Sequence, residues 1–104
     1  MNKSETEYLI LRKLEENPHL TQREISEELG VSLGKTNYVI NALIDKGLLK
    51  LNNFRTSDNK LSYSYLLTAQ GITEKTMLAR KFLIRKSDEY NKLKEEIEKL
   101  KNEL

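Results

Sequence analysis

Three times in its first half the chain sets apolar residues at helical spacing and closes the run with a turn residue. Ser4 and Glu7 have the form of an S-x-x-E capping box, Tyr8, Ile10, Leu11 and Leu14 follow, and Asn17-Pro18 stops the pattern. Thr21 and Glu24 repeat the device as T-x-x-E. Ile25 and Leu29 then share one face, and Gly30 suits the left-handed position after the last turn, which predicts a second helix of about eight residues. After Val31, Ser32 is a candidate N-cap for a longer third helix. In it Thr36, Val39, Ile40, Leu43 and Ile44 recur three or four apart until Gly47.

From there the period changes. Leu48 to Leu51 and Leu61 to Leu67 are apolar stretches, the second alternating through Tyr63, Ser64 and Tyr65, and the polar segment Asn52 to Lys60 lies between them. This predicts a β-hairpin with a long loop. Thr68 then caps a final helix with no proline and only Gly71 near its start, long enough for about 35 residues, or roughly 50 Å.

Two helices joined by about three residues that include glycine, with a third helix before them, form a helix-turn-helix unit, and the hairpin makes a wing. The expected fold class is mainly α with a small β-hairpin wing. It consists of a winged helix-turn-helix domain over residues 1–70, followed by a long C-terminal coiled-coil helix over 71–104.

The tail carries its own signal. Tyr90, Leu93, Ile97, Leu100 and Leu104 recur at spacings of 3, 4, 3 and 4, which is a coiled-coil seam, clearest over 90–104. With Tyr90, Ile97 and Leu104 at a and Leu93 and Leu100 at d, Ile at a with Leu at d favours two parallel strands. Glu89 and Glu96 at g then face Lys94 and Lys101 at e of the other chain. An antiparallel pair would set Glu against Glu and Lys against Lys. Extended backwards the seam reaches Leu83, so a parallel homodimer is expected through Leu83, Tyr90, Leu93, Ile97, Leu100 and Leu104. Nearer its start, Ile72, Leu78, Phe82 and Leu83 are expected to pack on the domain, and Arg80, Lys81, Arg85 and Lys86 form a basic group.

Composition removes most enzyme classes. Leu, Ile, Val and Phe supply 29 of 104 residues, enough for a packed core. The chain has no cysteine and one histidine, His19, so thiol nucleophiles, disulfides, Cys/His zinc sites and a Ser-His triad are excluded or disfavoured. No metal, cofactor or catalytic residue is expected. No stretch of about 18 apolar residues exists, and Met1 to Leu9 lacks a basic region followed by an apolar run, so no membrane partner and a cytoplasmic location are expected.

Net charge is only +2, yet it is unevenly placed. Residues 1–31 carry four bases against seven glutamates, whereas residues 32–60 carry five bases against Asp45 and Asp58. Such an asymmetry gives one face a positive field of the kind a polyanion seeks.

The third helix has a face with no core to cover. Lys35, Asn37, Tyr38 and Asn41 lie opposite the apolar stripe, with Ser32 and Gly34 at the leading end. In a helix-turn-helix protein this half-helix meets base edges in the major groove, where Asn pairs with adenine and Lys donates to guanine. Ser32, Gly34, Lys35, Asn37, Tyr38 and Asn41 are therefore the candidate base contacts, Gly34 by permitting close backbone approach. Gln22 and Arg23 open the second helix, where side chains and free N–H groups grip phosphate. In the wing, Asn53, Arg55 and Lys60 are donors able to reach an adjacent minor groove or backbone. Phe54 is expected to pack under the wing, and His19 to be an inter-helix loop residue.

These residues resemble MarR-type winged helix-turn-helix regulators. The resemblance covers about residues 4–72 and rests on Thr21-Gln22-Arg23-Glu24-Ile25, Leu29-Gly30-Val31-Ser32, Ala42-Leu43-Ile44-Asp45-Lys46-Gly47-Leu48 and Leu67-Thr68-Ala69-Gln70-Gly71. Ser32-Leu33-Gly34-Lys35-Thr36-Asn37-Tyr38, with the short chain and heptad tail, is similar to the small EPS-associated branch. The resemblance implies a transcriptional regulator near polysaccharide biosynthesis genes. Regulators of this type commonly carry an Asp-x-Arg element in the wing, where this chain has Asp58-Asn59-Lys60. They build dimers from helices at both chain ends and often hold an aromatic effector between them. This chain has little before its first helix, so no small-molecule effector is expected.

Two readings follow. One is a non-enzymatic, dimeric regulator that reads double-stranded DNA. The other is a winged-helix adaptor that binds protein through Asn37 and Tyr38 and has little affinity for DNA.

Overall fold

The computed structural model describes residues 1–104 and contains four helices and one two-stranded antiparallel sheet. Helix α1 spans Lys3–Glu16, α2 Gln22–Leu29, α3 Leu33–Asp45 and α4 Ala69–Glu103, with strands β1 (Leu49–Arg55) and β2 (Leu61–Leu67) between α3 and α4. This is a winged helix with a long C-terminal helix, as the apolar pattern predicts.

The caps fall mostly where the sequence puts them. Thr21 accepts from Glu24 N while the Glu24 side chain accepts from Thr21 N, completing the reciprocal box, and Gly30 ends α2 at φ 68. Ser32 accepts from Lys35 N to start α3, and Thr68 accepts from Gly71 N to start α4. The first cap differs. Asn2, not Ser4, accepts from Glu5 N, so α1 begins earlier than the S-x-x-E motif implies. Glu7 is thereby freed from capping, and its buried carboxylate meets Lys46 Nζ at 3.4 Å, tying α1 to the end of α3.

The core lies where the three short helices meet the base of the hairpin. Ile10, Leu11, Leu14, Ile25, Val39, Ile40, Leu43, Leu48, Leu49 and Leu78 form one buried cluster. Burying side chains of this size stabilises the fold by about 1.5–3 kcal/mol each, before conformational entropy is counted. Thr36 is fully buried among them because its hydroxyl returns to Ser32 O, leaving no unmet donor.

The wing is longer and its loop shorter than the polarity of residues 52–60 implies. Strand pairing runs from Leu49↔Leu67 to Arg55↔Leu61, so Asn53, Phe54 and Arg55 belong to β1 and only Thr56–Lys60 form the tip. The cross-strand ladder satisfies the backbone there whatever the side chains are, and the outer hairpin has no core requiring alternation. Asn59 takes a left-handed φ of 63 at the tip.

Helix α4 is one continuous helix with two different faces. Gly71, Lys75, Leu78, Phe82 and Arg85, spaced 4, 3, 4 and 3, face the domain. Phe82 stacks on Tyr8 at 5.4 Å, Lys75 pairs with Glu15, and Arg85 pairs with Glu5, fixing α4 antiparallel to α1. At the root, Gly71 lies so close to Leu48 that a Cβ there would fall 2.1 Å from the Leu48 carbonyl oxygen. One residue further round, Ile72 and Leu83 are 49% and 65% exposed, so only Leu78 and Phe82 of the four residues expected on the domain pack there. Beyond Arg85 the helix leaves the domain, which gives the molecule its 66 Å long axis. No helix is long and apolar enough to cross a membrane.

Candidate nucleic-acid interface

Helix α3 buries Thr36, Val39, Ile40 and Leu43 and turns Lys35, Asn37, Tyr38 and Asn41 outward. Tyr38 is 68% exposed, a large ring left in solvent by a helix whose other large apolar groups mostly face the core. Ser32 and Gly34 sit at the exposed leading end, with Ser32 occupied as the N-cap. Nothing lies within 4 Å of the position a Gly34 Cβ would take, so the protein itself places no demand for glycine there.

The polar face is an ordered array rather than a set of independent side chains. Tyr65 of β2 accepts a hydrogen bond from Gln22 Nε2 at 3.0 Å, Gln22 Oε1 accepts from Asn37 Nδ2 at 3.1 Å, and Asn37 Oδ1 accepts from Asn41 Nδ2 at 3.2 Å. A chain of four side chains thus runs from the wing strand, across the start of α2, to the exposed face of α3. Each amide nitrogen has two hydrogens and each oxygen two lone pairs, so Asn37 and Asn41 keep unused donors and acceptors toward solvent. Fixing their rotamers before contact lowers the ordering cost of binding.

Gln22, expected as a free phosphate donor, instead has both ends of its amide engaged, while Arg23 beside it is exposed. The signal that reveals this role is not local, because the partner Tyr65 stands 43 residues away. Tyr65 itself escaped the sequence reading, which took β2 only as apolar alternation.

In the wing, Arg55 extends a guanidinium N–H to Asn59 O at 3.2 Å, holding the tip. The Thr56 hydroxyl donates to the Asp58 carboxylate, and this bond, ahead of weaker contributions, holds that carboxyl below its ordinary value of 3.8. Asp58 is therefore anionic at neutral pH. Lys60 lies 3.8 Å from it and remains largely in solvent, so the pair is loose and the amine free to find another anion. Asn53 is exposed on β1. Phe54, one pair below the tip of the hairpin, is half-buried and meets the His19 ring edge-on at 5.5 Å, so it packs under the wing as expected.

The structure joins the exposed face of α3 to β2 of the hairpin through Gln22 and Tyr65, whereas the contacts of Arg55 and Lys60 stay within the wing tip. The seam residues Leu83, Tyr90, Leu93, Ile97, Leu100 and Leu104 are far from it and exposed along α4. No group of three or more His, Asp or Glu side chains is arranged to hold a metal ion.

Residues 3–50 match the winged helix-turn-helix DNA-binding family. The fold is shared with a PadR-like transcriptional regulator from Bacillus cereus, at TM-score 0.72 and 17% identity, over 84% of this chain and 89% of that one. A MarR/EmrR family regulator from Acinetobacter matches at TM-score 0.59 and 23% identity, over 94% of this chain and 73% of that one. The adhesin competence repressor from Streptococcus pyogenes matches at TM-score 0.61 and 20% identity, over 85% of this chain and 63% of that one. At these identities the likeness is one of fold. A search among curated proteins finds no match. The chain thus carries a winged helix-turn-helix domain built as in PadR-like and MarR-type regulators.

Proposed function

We propose that this protein is a non-enzymatic transcriptional regulator that binds double-stranded DNA as a homodimer, with one α3 helix in the major groove of each half-site. The observation that carries the reading is the Gln22–Asn37–Asn41 array on the exposed face of α3. It presents amide donors and acceptors in fixed positions, which is what discrimination between base edges requires. Lys35, Tyr38 and Gly34 extend that surface, Arg23 and Lys60 supply phosphate contacts, and Arg55 shapes the wing. No cofactor enters this function.

The dimer is a parallel coiled coil through Tyr90, Leu93, Ile97, Leu100 and Leu104. These residues are 43% exposed or more, and a single chain offers nothing to cover them. The similarity of Ser32–Tyr38 to the EPS-associated branch supports targets among polysaccharide biosynthesis genes. A cytoplasmic location goes with this role.

Fluorescence anisotropy of the full chain tests the reading, using random duplex and the chain's own upstream DNA across roughly 50 to 200 mM salt. Steeply salt-dependent binding that favours one duplex is expected. Failure of the folded protein to bind either would favour instead the protein adaptor, for which Tyr38 would be the anchoring ring.

A further inference from the structure

Tyr65 is tied to the start of α2 at two points. Its backbone N–H donates to Pro18 O at 3.0 Å, and its hydroxyl accepts from Gln22 Nε2 at 3.0 Å. The two bonds bracket residues 18–22. Between them the ring packs half-buried against the core cluster, and the strand ladder holds its backbone opposite Leu51. The hydroxyl oxygen therefore moves only with a ring that the fold keeps in place.

Gln22 and Asn37 are the opposite case. Gln22 stands at the first position of α2 on a long rotatable side chain, and Asn37 is exposed on α3. A hydrogen bond between two such side chains in water contributes little, because both must be ordered to make it. With its nitrogen already on Tyr65, the Gln22 amide is placed, and the bond to Asn37 at 3.1 Å has only Asn37 left to order. Asn41, which donates to Asn37 Oδ1 at 3.2 Å, ends the same chain.

We propose that Tyr65, on the wing strand, is a positioning residue for base selection by α3. Its hydroxyl fixes Gln22, Gln22 fixes the Asn37 amide, and discrimination between duplexes depends on that hydroxyl although it makes no contact with DNA. The effect on DNA rests on the DNA-binding function proposed above; the brace itself does not. Paired contact with an adenine edge needs a donor and an acceptor in one plane with the base, which a swinging amide meets only part of the time. Phosphate contacts carry no such sequence demand, so the brace acts on selection and not on general affinity.

Tyr65→Phe removes the hydroxyl and keeps the ring, the Pro18 bond and the strand pairing. In the isotopically labelled full chain without DNA, the side-chain amide signals of Gln22 and Asn37 should shift and gain mobility, while the backbone amides of α3 stay in place. Gln22→Ala breaks the chain one step later and should move the Asn37 side-chain signals in the same way. On DNA, Tyr65→Phe should lose about three- to fivefold on the preferred duplex, as loss of one neutral hydrogen bond does, with random-duplex affinity and salt slope unchanged. Added to Asn37→Ala, which already lacks the group being placed, it should cause no further loss. The base pair whose substitution harms wild type but not Asn37→Ala should matter less to Tyr65→Phe, and other base pairs should matter equally to both.

Side-chain amides of Gln22 and Asn37 that Tyr65→Phe leaves unmoved overturn the brace, and shifted backbone amides along α3 would make Tyr65 a structural residue instead. Equal loss on both duplexes with a lower salt slope would make its hydroxyl a phosphate contact. Full further loss on the Asn37→Ala background overturns the relay. If the folded protein binds neither duplex, the NMR comparison still decides the brace, so that failure and the failure of the DNA-binding reading are told apart.

Discussion

Asn37 Nδ2 donates to Gln22 Oε1 at 3.1 Å, which makes the start of α2 a brace for the reading face of α3. A side chain so held spends less of its binding energy on ordering. Gln22→Ala removes both the brace and the link to Tyr65, yet leaves the core untouched. We expect it to weaken specific DNA binding about five- to tenfold, the equivalent of roughly 1 kcal/mol, with random-duplex affinity much less affected. Anisotropy titrations on both duplexes check this, and equal loss on the two would show Gln22 to be a phosphate contact instead.

Gly34 separates stability from recognition. It stands in the first turn of α3 with open space around its missing Cβ, so Gly34→Ala should stabilise the fold, by about 0.5–1 kcal/mol from helix propensity alone. If α3 approaches DNA as proposed, the same methyl obstructs the groove and specific affinity falls. A raised melting temperature with unchanged DNA affinity would place Gly34 outside the interface.

Lys35, Asn37 and Arg55 are expected to fail in different ways. Lys35→Ala and Asn37→Ala should cost about 1–3 kcal/mol on the preferred duplex and relax its selection. Arg55→Ala releases the Asn59 carbonyl and loosens the wing tip, so it should weaken binding similarly on all sequences and lower the salt slope by about one. Salt-dependent titrations of the three variants on both duplexes distinguish these patterns, and a uniform loss for all three would remove the division of roles.

Apart from the Ser4 box, what the chain announces locally is what the structure contains. The T-x-x-E box at Thr21, the Gly30 stop, the Ser32 cap and the stripe from Thr36 to Leu43 depend on neighbours within four residues, and all appear as read. What escaped depends on distant partners. Glu7 reads as half of a capping box but is drawn to Lys46, and Asn52 to Arg55 read as loop but are paired by β2. The Tyr65–Gln22–Asn37 array joins three elements that no spacing rule connects.

Gly71 belongs to the same class, since in sequence it is only a glycine near the start of a long helix. Its Cβ position lies 2.1 Å from Leu48 O and 3.0 Å from Leu48 C, both backbone atoms that cannot swing aside. Gly71→Ala must therefore push α4 off the hairpin base, straining the Thr68 hydroxyl bond to Gly47 O and the Leu48 packing. An overpacking cost of about 2–3 kcal/mol is expected despite alanine's better helix propensity. Denaturant unfolding measures it, and a stability equal to wild type would mean that the close crossing of α4 over Leu48 does not hold in solution.

The seam on α4 makes a prediction about direction as well as association. Ile97 lies on the solvent side of the helix, so Ile97→Asp should leave the winged domain folded while raising the dimer Kd at least about a hundredfold, two apolar side chains per dimer being lost. Sedimentation equilibrium reads that change. Orientation is read by exchanging charges. A chain with Glu89→Lys, Lys94→Glu, Glu96→Lys and Lys101→Glu keeps attraction between g and e in its own parallel homodimer. Mixed with wild type, it faces like charges across every parallel g–e contact, but opposite charges across antiparallel g–g and e–e contacts. Parallel pairing therefore predicts two separate homodimers in the mixture, and an excess of heterodimer would establish the antiparallel arrangement. That distinction matters for the DNA, because a parallel tail brings both α4 roots, and so both α3 helices, to the same end of the dimer, where two half-sites can be read together.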